Sequence, residues 1–102
     1  MKIRILPPAE ADLAKGADFY ELQRAGLGKY FPECLIADVD ALVQNAGIHS
    51  KFRSYHRSIS KRFPFAIFYK TNGIWVDVYA ILDCRRDPRT IDRLLEQRKS
   101  LD

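Results

Sequence analysis

His56, Arg57, Tyr79 and Arg86 are the side chains of this sequence best suited to moving a proton beside a phosphate. His56 and His49 are the two histidines, the residue type suited to acid–base work at neutral pH, and His56, set in a predicted strand, is the natural general base. The Tyr79 phenol could donate a proton, while Arg57 and Arg86 could hold phosphate oxygens through charge-assisted hydrogen bonds. Each has a plainer role. A histidine on a half-exposed strand commonly serves as a polar surface residue, and tyrosines commonly cover sheet faces for their area. Arg85 and Arg86 have Asp77, Asp83 and Asp87 close by in sequence as ion-pair partners. Cys84 lies beside both arginines, a setting that can activate a thiol, yet no histidine accompanies it and it is not read as a nucleophile.

Arg53, Arg57, Lys61 and Arg62, joined by Arg85 and Arg86, form a second candidate group that would bind an acidic target or partner. The same cations could instead protect an edge strand against aggregation. The formal net charge of +4 is unevenly distributed: residues 1–48 hold five Lys/Arg against seven Asp/Glu, and residues 49–102 hold twelve against six. The basic half therefore favours an acidic partner, although charge alone does not name one.

At 102 residues, 47% hydrophobic and 29% charged, the sequence describes one globular domain, 1–102, with a single modest core. Cys34 and Cys84 lack metal-ligand spacing, so neither a metal nor a cofactor is expected, and reduced thiols suit a cytoplasmic protein. No apolar run is long enough for a membrane span, and the N-terminus lacks the apolar core of a secretion signal.

The elements that must position these side chains follow from periodicity. Lys2–Leu6 alternates as a strand and Pro7-Pro8 stops it. Pro8–Arg24 reads as an amphipathic helix with Ala9, Leu13, Ala17 and Tyr20 on one stripe, ended by Gly26. A second helix is expected from about Phe31 to Asn45, through Phe31, Leu35, Val39 and Leu42, with Gly47 as terminator. Pro32 belongs in a first helical turn, which sets the start no earlier than roughly Lys29. Phe52–Ile59 reads as one strand with Arg53, Tyr55, Arg57 and Ile59 on one side. Phe65–Thr71 reads as a central strand covered on both faces, and Asn72-Gly73 as a type I′ turn into Ile74–Leu82. On that last strand Ile74, Val76, Val78 and Ala80 should share one face, and Trp75, Asp77, Tyr79 and Ile81 the other. Asp87-Pro88 caps a short final helix with Ile91, Leu94 and Leu95 inward and Arg89, Arg93 and Arg98 outward. The expected class is α+β: a helical hairpin on a mostly antiparallel sheet of about four strands.

In its order and wording the chain resembles the ParE/RelE superfamily of bacterial toxins, over nearly its whole length. The resemblance is carried by Ala9-Glu10-Ala11-Asp12-Leu13 and Tyr20, by Arg62-Phe63-Pro64-Phe65-Ala66-Ile67-Phe68-Tyr69, and by Arg85-Arg86-Asp87-Pro88. The last two blocks resemble the ParE branch in particular. RelE-like members are ribosome-dependent ribonucleases that cut messenger RNA, whereas ParE-like members inhibit DNA gyrase by binding it and need no catalytic residues. This sequence has Ala66 where the RelE-type arginine would stand, and Ile91 near the place of a tyrosine on the last helix. The resemblance thus implies a type II toxin that binds gyrase, held by a cognate antitoxin in a hetero-oligomer. The alternatives are an mRNA endonuclease built on His56, Arg57, Tyr79 and Arg86, or an inactive member that only binds antitoxin.

Overall fold

The computed structural model describes residues 1–101. Its elements are β1 (Lys2–Ile5), α1 (Pro7–Gln23), α2 (Leu27–Asp40), α3 (Leu42–Asn45), β2 (Lys51–Phe52), β3 (Tyr55–Ile59), β4 (Phe65–Asn72), β5 (Trp75–Asp83), α4 (Pro88–Arg98) and a closing 3-10 turn, Lys99–Leu101. The sheet has five strands in the order β1-β5-β4-β3-β2, where about four were expected. The extra strand arises inside Phe52–Ile59, because Arg53 takes a φ of 60° and turns the chain between β2 and β3. β1 runs parallel to β5, and the remaining pairs are antiparallel.

α1 begins with two prolines, which occupy amide positions that have no intrahelical acceptor. α2 begins at Leu27, two residues earlier than Pro32 was expected to permit. Pro32 removes the amide that would have bonded the Gly28 carbonyl. The start is secured from outside the helix: the Glu21 carboxylate of α1 accepts from the amides of Gly26 at 3.0 Å and Gly28 at 2.8 Å. α2 has no local side-chain cap, so Glu21 supplies from the preceding helix what an N-cap residue usually supplies. Replacing Glu21 by Ala should lower stability by about 1 kcal/mol in urea denaturation, the usual loss for a cap. Unchanged stability would mean that water satisfies those amides equally well.

The hairpin between β4 and β5 also differs from expectation. Asn72 pairs with Trp75, which leaves Gly73 and Ile74 at the turn, and of these only Gly73 has a positive φ, 61°. Those signs belong to a type II′ turn with Gly at its first central position, not to type I′.

One sheet face packs on the helices through Phe31, Leu35, Val39, Leu42, Phe65, Ile67, Tyr69, Val76, Val78 and Ile81. The other carries Tyr55, Ala66, Phe68, Tyr79, Ala80 and Leu82 under Ile91 and Leu95 of α4. β4 is thus covered on both faces, as its unbroken apolar run implies. The face assignment of β5 holds only as far as Tyr79. Phe68 pairs with Ala80 but Tyr69 pairs with Val78, so Tyr79 is the extra residue of a β-bulge. A bulge shifts the alternation by one residue, which sends Ile81 to the helical face and Ala80 and Leu82 to the α4 face.

Candidate binding surface

The cations proposed from the sequence are dispersed over the molecule. Arg53, in the β2–β3 turn, reaches α4 and pairs with Asp92 at 2.6 Å. Arg57 is exposed on β3, opposite Phe68 and on the α4 side of the sheet. Lys61 and Arg62 occupy the turn after β3, anchored where the Ser60 hydroxyl donates to Asp38 of α2 at 2.6 Å. Arg85 folds back on Asp83 through paired hydrogen bonds of 3.0 and 2.7 Å. Arg86 stands apart in a cleft with Lys15 and Phe19 of α1.

The residues suited to proton transfer do not converge. His56 lies on the helical face, stacked on Tyr69 with ring centroids 5.1 Å apart, and its Nδ1 donates to the His49 carbonyl at 2.8 Å. Its neighbour Arg57 projects from the opposite face, as strand alternation requires. Tyr79 is on the Arg57 side but is only 3% exposed. The structure therefore separates His56 from Tyr79 by the thickness of the sheet, and gives Arg86 a cleft of its own.

A different row of side chains does assemble. On the α4 side, where α4 leaves the sheet uncovered, Arg4 of β1, Asp77 of β5 and Lys70 of β4 lie in register across three strands. Arg4 donates to both Asp77 oxygens at 2.6 and 3.1 Å, and its guanidinium sits 4.1 Å from the centre of the Trp75 ring. Lys70 Nζ lies 4.8 Å from the Tyr55 ring centre and 5.1 Å from that of Tyr79. Cations over aromatic faces keep their charge while shedding some water, which suits docking of an acidic surface. A cleft of about 470 Å³ opens here between Arg4, Lys70, Asn72, Asp77 and Tyr79. The sequence signal for Lys2 and Arg4 was the alternation of β1; their placement beside Trp75 depends on the parallel pairing with β5, which no local pattern encodes.

A second cluster holds the fold together at the end of β1. Beyond Val78 the β5 edge has no strand beside it, because the chain has turned into α1. Asp12 of α1 accepts there from the Ile81 amide at 2.9 Å, and Arg98 of α4 donates to both Asp12 oxygens and to the Tyr79 carbonyl at 3.1 Å. Arg98, expected outward, is thereby largely buried, with 14% of its side chain exposed.

The fold has a solved counterpart. A chain of the chromosomal ParDE TA system from P. aeruginosa superposes with a TM-score of 0.70 at 21% identity, over 79% of this chain and 92% of that one. The fold is ParE-like. No family model and no curated protein matches the sequence. On the ParE-like fold, the motif blocks noted in the sequence fall on α1, β4 and the β5–α4 connection. Among the described residues no group of metal-binding side chains occurs, and no helix is long and apolar enough to cross a membrane.

The β5–α4 connection is organised by charge. Arg85, through its side-chain hydrogen bond, holds the Asp83 carboxyl below the usual carboxylate range. Arg89 does the same to Asp87, whose carboxylate also accepts from the Arg89 amide at 2.9 Å as the α4 N-cap. A carboxyl with a lowered folded pKa contributes stability that is complete above its unfolded value, near 3.9, and is lost as pH falls through the folded value. An NMR titration should therefore place the Asp83 and Asp87 midpoints below those of an unfolded peptide, and 0.5 M salt should draw them back up. Midpoints at the peptide value would mean that the arginine pairs are absent in solution.

Proposed function

We propose that this chain is the toxin of a type II toxin–antitoxin module, that it inhibits DNA gyrase by binding, and that a cognate antitoxin neutralises it. The observation that carries the proposal is the ParE-like fold combined with the separation of His56 from Arg57, Tyr79 and Arg86. Metal-free RNA cleavage needs a base, an acid and phosphate-binding cations around one scissile bond. A basic, aromatic sheet face without that convergence favours docking over turnover. Induction of the chain alone should arrest growth, and the purified protein should block supercoiling by gyrase or trap cleaved DNA. No effect on gyrase at large molar excess would remove gyrase as the target.

A second reading, the ribosome-dependent mRNA endonuclease, draws on one observation: Arg4, Arg57, Lys70 and Tyr79 share the same sheet face. Primer extension on transcripts after induction separates the two, since new codon-linked cuts would favour the nuclease and their absence would leave inhibition by binding.

A further inference from the structure

The charges of α2 run against the dipole of the helix that carries them. Lys29 lies in the first turn, beside the partly positive amide end, and Asp40 is the last residue, beside the partly negative carbonyl end. No acidic residue occupies the first turn and no basic residue the last. Lys29 and Asp40 are exposed, and neither has an ion-pair partner among the described residues. Phe31, Leu35 and Val39 turn into the core, which leaves Lys29, Pro32, Ile36 and Asp40 on one outer stripe at i, i+3, i+7 and i+11. The stripe is about 16 Å long at the rise of an α-helix. Together with Glu33 and Ala37, these residues line an open groove of about 490 Å³.

A charge order that destabilises a helix alone becomes favourable against an antiparallel neighbour, in which dipole and charges are both reversed. An acidic peptide or a nucleic acid would meet two carboxylates, Glu33 and Asp40, against the one ammonium of Lys29, and would be repelled. A second copy of this chain matches the stripe. A two-fold axis level with Cys34 and Leu35 sets Lys29 opposite Asp40 of the second copy and Pro32 opposite its Ala37, and symmetry makes every contact twice. The small Ala37 side chain lets the two helices approach toward the short end of the usual range, about 8–10 Å between axes, and so cover Ile36, which is 36% exposed. We propose that this chain forms a two-fold dimer by antiparallel packing of α2 on α2, with Lys29–Asp40 pairs closing both ends over Ile36. The pairing uses the side of the molecule opposite α4, so both basic sheet faces stay open in the dimer, and it does not depend on the toxin reading.

Sedimentation equilibrium on the full chain, from about 1 μM to about 1 mM, should show a monomer–dimer transition. K29D and D40K should each raise the dimer dissociation constant at least about tenfold, because each sets like charges together at both ends of the interface. An equimolar mixture of K29D and D40K should associate at least about tenfold more tightly than either variant alone, since every end contact between the two then joins opposite charges. That recovery also serves as the folding control, because a misfolded variant could not regain association. A wild-type chain that stays monomeric throughout overturns the proposal. So does a dimer indifferent to both variants, or a mixture no tighter than its components, which would place the contact elsewhere on the surface. If the wild-type chain is monomeric and K29D or D40K instead changes its affinity for the protein encoded by the adjoining reading frame, the groove belongs to that partner and self-pairing is wrong.

Discussion

Asp12→Ala should lower the unfolding free energy by about 3–5 kcal/mol, the range for removing one partner of a buried ion pair. The loss has three parts. The Ile81 amide loses its acceptor, the Arg98 guanidinium keeps its charge in a largely buried position, and α4 loses its tie to α1. For a domain of this size such a loss is a large fraction of the total stability. Asp12→Asn should cost less, because the amide oxygen can still accept from Ile81. Arg98→Met combined with Asp12→Leu should recover part of the loss, since a buried pair replaced whole by apolar groups leaves no charge stranded. Urea denaturation of the single and double variants measures all of this. A loss below about 1 kcal/mol for Asp12→Ala would mean that water enters and replaces the carboxylate.

Phe31→Ala should cost a similar amount, about 3–5 kcal/mol, for a different reason. Phe31 is fully buried at the crossing of α1 and α2, with ring centroids 4.9 Å from Phe63, 4.9 Å from Phe65 and 5.1 Å from Tyr20. The site was shaped from the opposite side by Gly16, where an added Cβ would come within 2.5 Å of the Phe31 ring. This gives the prediction an internal control. Gly16→Ala alone should destabilise by crowding the ring. In the Phe31→Ala background the same methyl would project into the cavity, and it should restore part of the lost stability. Strict additivity of the two losses would show that the helices re-space and that no cavity persists.

The elements were legible in the sequence because most of them depend on local chemistry. The Ala9–Tyr20 stripe, the unbroken Phe65–Tyr69 run and the Asp87-Pro88 cap each specify their element from a few neighbouring residues. The departures depend on contacts between residues far apart. The early start of α2 requires Glu21 from another helix. The face exchange on β5 depends on a bulge at Tyr79, and nothing in the alternation of Trp75–Asp83 announces it. The surface was less legible than the fold. A list of arginines does not disclose that Arg53 is held by Asp92 or that Arg98 turns inward, whereas the pairing of Arg85 with Asp83, two residues away, was legible from proximity in sequence. Lys2 and Arg4 gained a place in the site only when β1 was set beside β5.

That pairing also governs the order in which the molecule can be completed. β1 leaves the ribosome first, yet the strand beside it is synthesised last among the strands: Arg4 and Asp77 lie 73 positions apart, and Asp12 waits 86 positions for Arg98. Contacts of such separation close late and slow folding. A nascent chain can therefore form its helical hairpin early but cannot build the sheet's central ladder until β5 has emerged. The Arg4–Asp77–Lys70 row does not exist before then, so whatever this surface engages meets it only after β5 has left the ribosome.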